Sequence, residues 1–252
     1  MRRFWLEPHA LQADGQVHLT EAVLHHVRDV CRLAAGDHLE VLVGDGQARE
    51  VELLSVGRHA AVGRVVASRA VPPLPRPHLH LALALCRPAV FDAVLERAVE
   101  LGVAAVQPFF SAHSFERRAS EGLRGRAERW QRIVRAATQQ CGRGESMAVA
   151  APVPLAQALG GVARGHGVFA FEGAGGQSLA DALAGLRAAR PPVVTVFVGG
   201  EGGFAADEVA QFAAAGLPPV TLGTTVLRVE TACIALLGVV RFGLWQNTDS
   251  AS

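Results

Sequence analysis

Val196-Phe197-Val198-Gly199-Gly200-Glu201-Gly202-Gly203-Phe204 is the stretch that decides the fold of this chain. The apolar, β-branched run Val193–Val198 reads as a short buried strand. Four glycines within five residues stop it, and Asp207–Ala215 then has helical spacing. Open α/β sheets bind ligands at such places, beyond the carboxyl ends of their strands. Glycine permits positive φ and lets a ligand approach the backbone closely. The alternative reading of the loop is a tight strand-to-helix turn with no ligand. It is not G-x-G-x-x-G and lacks the Gly-Lys-Ser/Thr of a P-loop, so neither a dinucleotide nor a nucleoside triphosphate is favoured.

Moving outward, Val220–Leu222 reads as a second short strand that also ends in glycine. It leads into Gly223-Thr224-Thr225-Val226-Leu227-Arg228-Val229-Glu230-Thr231-Ala232. Thr231 is read as the cap of a helix running to Gln246. Arg228 and Glu230 flank its start, either paired as a cap or turned to a ligand. The two loops are expected at neighbouring strand ends. Towards the N-terminus, strands at Leu79–Leu85, Val103–Phe110 and Val168–Phe171 alternate with helices at Pro88–Leu101, Ser120–Gln140 and Leu179–Leu186. Alternation with continuous apolar strands predicts a parallel α/β sheet.

Val71-Pro72-Pro73-Leu74-Pro75-Arg76-Pro77 marks the boundary of this region. Four prolines in seven residues exclude helix and central strand and make a stiff connector. Before it, Phe4–Leu6, His38–Val43, Gln47–Val56 and Ala60–Ser68 read as strands, with Gly44-Asp45-Gly46 as a hairpin turn. Thr20–Arg32 reads as a helix. The expected organisation is a small β-rich module at 1–71, a linker at 72–77 and an α/β domain at 78–252.

Composition narrows the function. Half of the 252 residues are hydrophobic and the net charge is +1, which excludes a disordered chain, a histone-like binder and an acidic tail. Cys31, Cys86, Cys141 and Cys233 are dispersed, so neither a disulfide framework nor a cysteine zinc site is expected, and the histidines show no metal-ligand spacing. Glu7-Pro8-His9 interrupts any leader after the basic start. Arg241 stops the apolar Cys233–Val240 run well short of a membrane span. The expected location is the cytoplasm.

All 24 Lys and Arg residues are arginine, which rules out a lysine Schiff base. Residues 111–145 hold 8 Arg against 4 Glu. At about 100° per residue, Arg124, Arg129, Arg132 and Arg135 share one arc of the Ser120–Gln140 helix, opposite Leu123, Trp130, Ile133 and Val134. That row is either a solvated face or a phosphate footprint. Arg2, Arg3, Arg28 and Arg32 offer a second footprint on the N-terminal module.

Together, Gly199–Gly203, Leu222-Gly223 and Leu227–Ala232 resemble the cofactor loops of SPOUT methyltransferases. The resemblance is to the RsmE type, which methylates uracil N3 in bacterial 16S ribosomal RNA. Glu100-Leu101-Gly102-Val103, Arg129–Ile133, Gln140-Cys141-Gly142-Arg143, Arg2-Arg3-Phe4 and His26…Arg32…Gly36-Asp37 fit the same family in the same order. The chain departs from it at Gly200, where the family usually has proline, and at Arg87 and Arg97, where lysines are frequent.

The resemblance implies a SPOUT parallel-sheet domain with a C-terminal trefoil knot, preceded by a PUA-like RNA-binding β-barrel. It also implies a homodimer, S-adenosylmethionine as cofactor, no metal, and 16S ribosomal RNA of the small subunit as partner. On this reading Phe171, Glu172, Gly199, Gly200, Glu201, Gly202, Gly203, Leu222, Gly223, Val226, Leu227, Arg228 and Thr231 bind the cofactor. Arg228 stabilises the uracil imide anion, and Glu230 or Glu201 accepts its proton. Arg87 and Arg143 join the two arginine rows as RNA contacts. The alternatives are a SPOUT enzyme acting on another RNA and a non-catalytic RNA-binding assembly factor. A nucleotide-dependent oxidoreductase lacks its glycine fingerprint here.

Overall fold

The computed structural model describes residues 1–19, 21–115, 121–173 and 175–244, and only the backbone of Glu21, Ala22, Glu121, Gly122 and Arg124. The chain forms two compact units. One is Met1–Pro73 with Arg135–Ser146, and the other is Leu74–Val134 with the residues from Met147 onward.

The first unit contains β1 (Arg2–Trp5), β2 (Gln16–Leu19), α1 (Glu21–His25), β3 (His38–Leu42), β4 (Gln47–Val56) and β5 (Ala61–Ala70). They form a five-stranded sheet in the order β1-β3-β4-β5-β2. Its apolar positions Phe4, Val17, Leu19, Leu39, Val41, Val51 and Leu53 meet Leu24 and Val27 in one core. The Gly44–Gly46 turn forms as the sequence predicts. Both glycines have positive φ (86° and 73°). Asp45 accepts the Gln47 N–H at 3.1 Å and pairs with Arg49. The strand β2 adds to the expected set; Gln16-Val17-His18-Leu19 alternates polar and apolar residues, with Val17 and Leu19 buried.

The helix expected over Thr20–Arg32 is interrupted; Thr20 itself lies outside the described residues. After His25 the backbone widens into a π-type turn, His26–Val30, closed by Cys31 N–H on His26 O at 2.8 Å. Arg32 follows with φ 55°. This exit brings Leu33 against the core, which a regular helix would overshoot.

The second unit holds β6 (His78–Ala84), α2 (Pro88–Glu100), β7 (Val103–Phe110), α3 (Glu121–Cys141), β8 (Ala148–Val149), β9 (Val153–Pro154), α4 (Leu155–Gly160), β10 (Gly167–Ala170), β11 (Gln177–Ser178), α5 (Leu179–Ala189), β12 (Val193–Val198), α6 (Ala206–Ala214), β13 (Pro219–Thr221) and α7 (Val229–Leu244). Its strands pair in parallel in the order β11-β13-β10-β12-β6-β7-β8, with β9 also on β7. Helix α7 packs on β6 and β12 beside α2 and α5. A cluster of Phe109, Phe169, Phe197 and Phe212 with Leu155 and Leu159 gathers α4 and α6 with β7, β10 and β12. Phe91 and Trp130 stack at 4.6 Å and join α3 to α2. The Trp245–Gln246 end expected for the last helix lies outside the described residues.

The end of α3 departs from the expected partition. Arg3 donates to the carbonyls of Gln139 and Gln140 at 3.4 and 3.2 Å, and the Trp5 N–H donates to Gln139 Oε1 at 3.0 Å. Glu7 pairs with Arg135. These bonds satisfy the orphan carbonyls of the helix terminus and place Arg135–Ser146 in the first unit. A linear division at the proline linker has no means of showing this.

Candidate active site

Strands β13, β10, β12 and β6 end side by side. β10 lies between β12 and β13, so the two glycine loops do not leave neighbouring strands. The crossover puts Phe171-Glu172, at the end of β10, in the interval. Beyond these ends lies a cavity of about 530 Å³. Arg87 and Val90 enter it from the start of α2, Ala170 and Glu172 from β10, and Val198, Gly199, Gly200, Glu201, Gly203 and Phe204 from the glycine loop. Val226, Leu227, Arg228, Val229, Glu230 and Ala232 complete it. An adjoining recess of about 40 Å³ is lined by Phe171, Leu222 and Gly223 among others and shares Ala170, Glu172, Leu227 and Ala232. Gly202 and Thr231 line neither.

The glycine loop is a tight turn, closed by Gly203 N–H on Gly200 O at 3.0 Å. Gly203 has φ 65°, and a Cβ there would stand 2.5 Å from Glu172 Oε1. A Cβ on Gly202 would stand 2.7 Å from His113 Cβ, whereas at Gly200 the nearest atom is 3.7 Å away and φ is not left-handed. Gly202 is therefore required by the His113 Cβ and Gly203 by its positive φ, while Gly200 tolerates a side chain. Phe204 pins the loop's far end, 4.8 Å from the Phe212 ring and 5.8 Å from Phe169. Such ring pairs add about 0.5–1.5 kcal/mol each beyond burial.

Arg228 ends the second loop, and its carbonyl accepts the Ala232 N–H at 2.8 Å. Helix α7 thus begins at Val229, and Thr231 sits exposed in the first turn instead of capping it. The helix starts early because Val229 is buried and anchors that turn. Among the described residues Arg228 and Glu230 form no ion pair with each other, and both face the cavity. Glu201 is engaged: its Oε1 accepts the Arg87 N–H at 3.1 Å and lies 3.5 Å from Arg87 Nε. Burial, with Glu201 and Glu230 nearby, pushes the Cys86 thiol up to about 12. Cys233, fully buried, is pushed up for the same first reason. Neither is a nucleophile at neutral pH.

The expected RNA contacts fall into groups. Arg129 pairs with the buried Asp92 at 2.6 Å, Arg3 with Glu40, Arg28 with Asp29 at 2.7 Å, and Arg135 with Glu7. Among the described residues of the α3 row, Arg129 and Arg135 are ion-paired. Arg2, Arg32 and Arg132 are exposed. Arg143 is partly buried, and desolvation lowers its pKa. The Arg124 side chain is outside the described residues. Cavity-lining residues that sequence reasoning misses are Val90, Ala170, Val198, Phe204, Val229 and Ala232, and it gives Arg87 to RNA alone. Pro88, a first-turn signal directly after a strand, marks where Arg87 and Val90 had to lie. Among the described residues no group of three or more His, Cys, Asp or Glu is placed to hold a metal, and no helix is long and apolar enough to cross a membrane.

Comparison with known proteins defines the class first. Residues 72–241 match the RNA methyltransferase domain, and residues 19–66 match the RNA methyltransferase PUA domain. The ribosomal RNA small subunit methyltransferase E of a Synechocystis species is 32% identical over 231 residues, which span 87% of this chain and 70% of that one. That of Mycobacterium tuberculosis is 30% identical over 85% of this chain and 82% of its own length. A Legionella pneumophila methyltransferase solved with bound SAM superposes with TM-score 0.85 at 25% identity, covering 96% of this chain and 98% of that one. The Neisseria gonorrhoeae ribosomal RNA small subunit methyltransferase E bound to S-adenosyl methionine gives 0.82 at 28%, covering 97% and 98%. This chain belongs to the ribosomal RNA small subunit methyltransferase E family.

Proposed function

We propose that the protein methylates uracil N3 of one uridine in 16S ribosomal RNA, within the small subunit, using S-adenosylmethionine held in the cavity beyond β10, β12 and β6. The observation that carries this reading is that cavity, with Arg228 at its wall and Gly199, Gly200 and Gly203 lining one side. The cavity fits the donor in size and charge. Glu172, Glu201 and Glu230 outnumber Arg87 and Arg228, which favours a cationic sulfonium. When bound, S-adenosylmethionine supplies the methyl group. The chain's own part is positioning, worth about 7–11 kcal/mol for well-oriented reactants. Gly199, Gly203 and Leu227 offer backbone and apolar walls. Gly202 and Thr231 act through loop and helix geometry, since neither lines the cavity.

Uracil N3 becomes nucleophilic when it loses its proton. Arg228 has no ion-pair partner among the described residues, so its guanidinium is available for the charge that develops on the imide oxygens. Glu230 is the better acceptor for that proton, because the Glu201 carboxylate is held by Arg87. The target base has to leave its stack to enter the cavity. Arg2, Arg32 and Arg132 grip phosphate, and Arg87, Arg143 and the paired arginines add to the field.

The same reading includes a homodimer, a knotted C-terminus and a cytoplasmic location. Helix α7 leaves Ile234, Val239 and Phe242 exposed at 41%, 41% and 63%, a face that suits a second copy. The knot rests on the resemblance to the family.

The test is incubation with methyl-labelled S-adenosylmethionine and either small subunits or free 16S RNA, followed by nucleoside analysis. N3-methyluridine is the expected product. Label in another nucleoside, or none with either substrate, overturns the reading.

A further inference from the structure

Glu208 does more than cap a helix. It is the third residue of α6 and 5% exposed. Its Oε2 accepts the Ala205 N–H at 2.9 Å, the usual reach of a glutamate back to its own helix start. The same carboxylate also accepts from two groups about a hundred residues earlier: Ser111 Oγ at 3.0 Å on Oε2 and the Ala112 N–H at 2.9 Å on Oε1. Those residues belong to the bend after β7. The bend is closed by Ser111 N–H on Ser114 Oγ at 2.9 Å and hung on the end of β6 by Phe115 N–H on Leu85 O at 2.8 Å. Its next residue, His113, reaches Gly202 O at 3.0 Å through Nδ1. A carbonyl only accepts, so Nδ1 carries the proton. His113 Cβ also fills the space a Gly202 side chain would need.

We propose that Glu208 is a positioning residue for the methyl-donor cleft, fixing the 111–114 bend so that His113 holds the Gly202 carbonyl and with it the curvature of the glycine loop. The inference rests on the cleft being the donor site. The buried carboxylate accepts three donors, and no neutral side chain of that size does so. Glutamine supplies one acceptor oxygen and turns an NH2 towards an N–H or O–H. The loop then loosens without any change in the residues that line the cavity.

The experiment measures S-adenosylmethionine binding by calorimetry, and kcat and KM for the donor, in the full-length wild type, Glu208→Gln, His113→Ala and His113→Asn, with thermal unfolding of each. Glu208→Gln is expected to weaken donor binding about tenfold, the loss of one or two charge-assisted hydrogen bonds. KM rises with it, while kcat at saturating donor stays within about twofold. His113→Ala weakens binding about three- to fivefold. His113→Asn restores it, because its Nδ2 stands close to the imidazole Nδ1 position. A merely structural glutamate lowers kcat through the folded fraction, leaves KM unchanged and shows no asparagine rescue. Native unfolding with unchanged donor affinity in both Glu208→Gln and His113→Ala overturns the inference. Should Glu208→Gln not fold, the histidine pair decides alone: unaltered affinity in His113→Ala overturns it, and loss with rescue supports it. A wild type that binds no donor overturns the functional reading and this inference together. A wild type that binds alongside indifferent variants overturns only the inference.

Discussion

The chain has two glycine-rich bends of similar appearance, Gly44–Gly46 and Gly199–Gly203, and they do opposite things. The first takes its side-chain bonds from within: Asp45 accepts from Gln47 and pairs with Arg49 four residues on, while the outside ties are a backbone bond from Val71 N–H to Gly46 O at 2.8 Å and the Trp5 ring beside Gly44. The second is held from outside by residues far away in sequence. Glu172 stands against Gly203, His113 against Gly202, Arg87 holds Glu201, and Phe204 is set in an aromatic cluster. A turn braced by its own side chains needs no distant side chain to bond to it. A loop held by four other segments keeps a concave face open, and the cavity is that face. Glycine content does not separate the two; the origin of the supporting contacts does.

Substitutions test that contrast. The largest effect is expected for Arg228→Ala, which leaves both loops intact. Turnover on RNA falls about 10²–10³-fold, while donor affinity stays within about threefold, as single-turnover kinetics and calorimetry will read. Equal loss of both makes Arg228 a structural cap instead. Next comes Gly203→Ala, where the positive φ strains any side chain and the end of the cavity-lining Glu172 has to swing aside. Donor affinity is expected to drop by at least about tenfold, the equivalent of roughly 1–2 kcal/mol of left-handed strain. Gly46→Ala meets the same φ cost of about 1 kcal/mol but leaves donor affinity unchanged. Parallel loss of affinity in the two would erase the distinction drawn between these bends. The smallest effect is expected for Gly200→Ala, with affinity within about twofold and an unfolding midpoint within about 2 °C, because its φ is ordinary and the atoms nearest the added Cβ stand at ordinary contact distance.

The N-terminal unit has its own signature in acid. Burial pushes the Glu40 carboxyl up, but bonds from Arg3 and Arg69 outweigh it and hold the group below the usual range. Asp45 is lowered first by its bond from Arg49. Groups lowered in the folded state contribute stability above their unfolded pKa and lose it as pH falls through the folded value. Unfolding midpoints are therefore expected to be flat near neutrality and to fall below about pH 4. Glu40→Gln removes part of that slope; an unchanged slope in this variant rules Glu40 out as its source.

Much of the site is legible in the amino-acid sequence. The glycine loop, the Leu227–Ala232 segment and Glu172 stand out because strand, glycine and helix signals succeed one another without a gap. Glu208 and His113 do not, because a lone glutamate in a helix and a lone histidine in a bend look alike wherever they occur. The α3 arginines show the same limit: their spacing gives a shared face, yet Asp92 and Glu7, which pair with Arg129 and Arg135, lie far off in the chain. The strands β8, β9 and β11 have two residues each and carry no period to read.

Local pattern alone determined that this chain builds a parallel α/β unit behind a β-rich module and places glycine loops at strand ends, since dihedral freedom and apolar periodicity are properties of neighbouring residues. Only the tertiary structure decided that β10 separates the two loops, that Arg87 holds Glu201, and that α3 ends in the first unit. Those outcomes depend on strand order and on charge pairs between distant segments, and packing sets both only when the whole chain is folded.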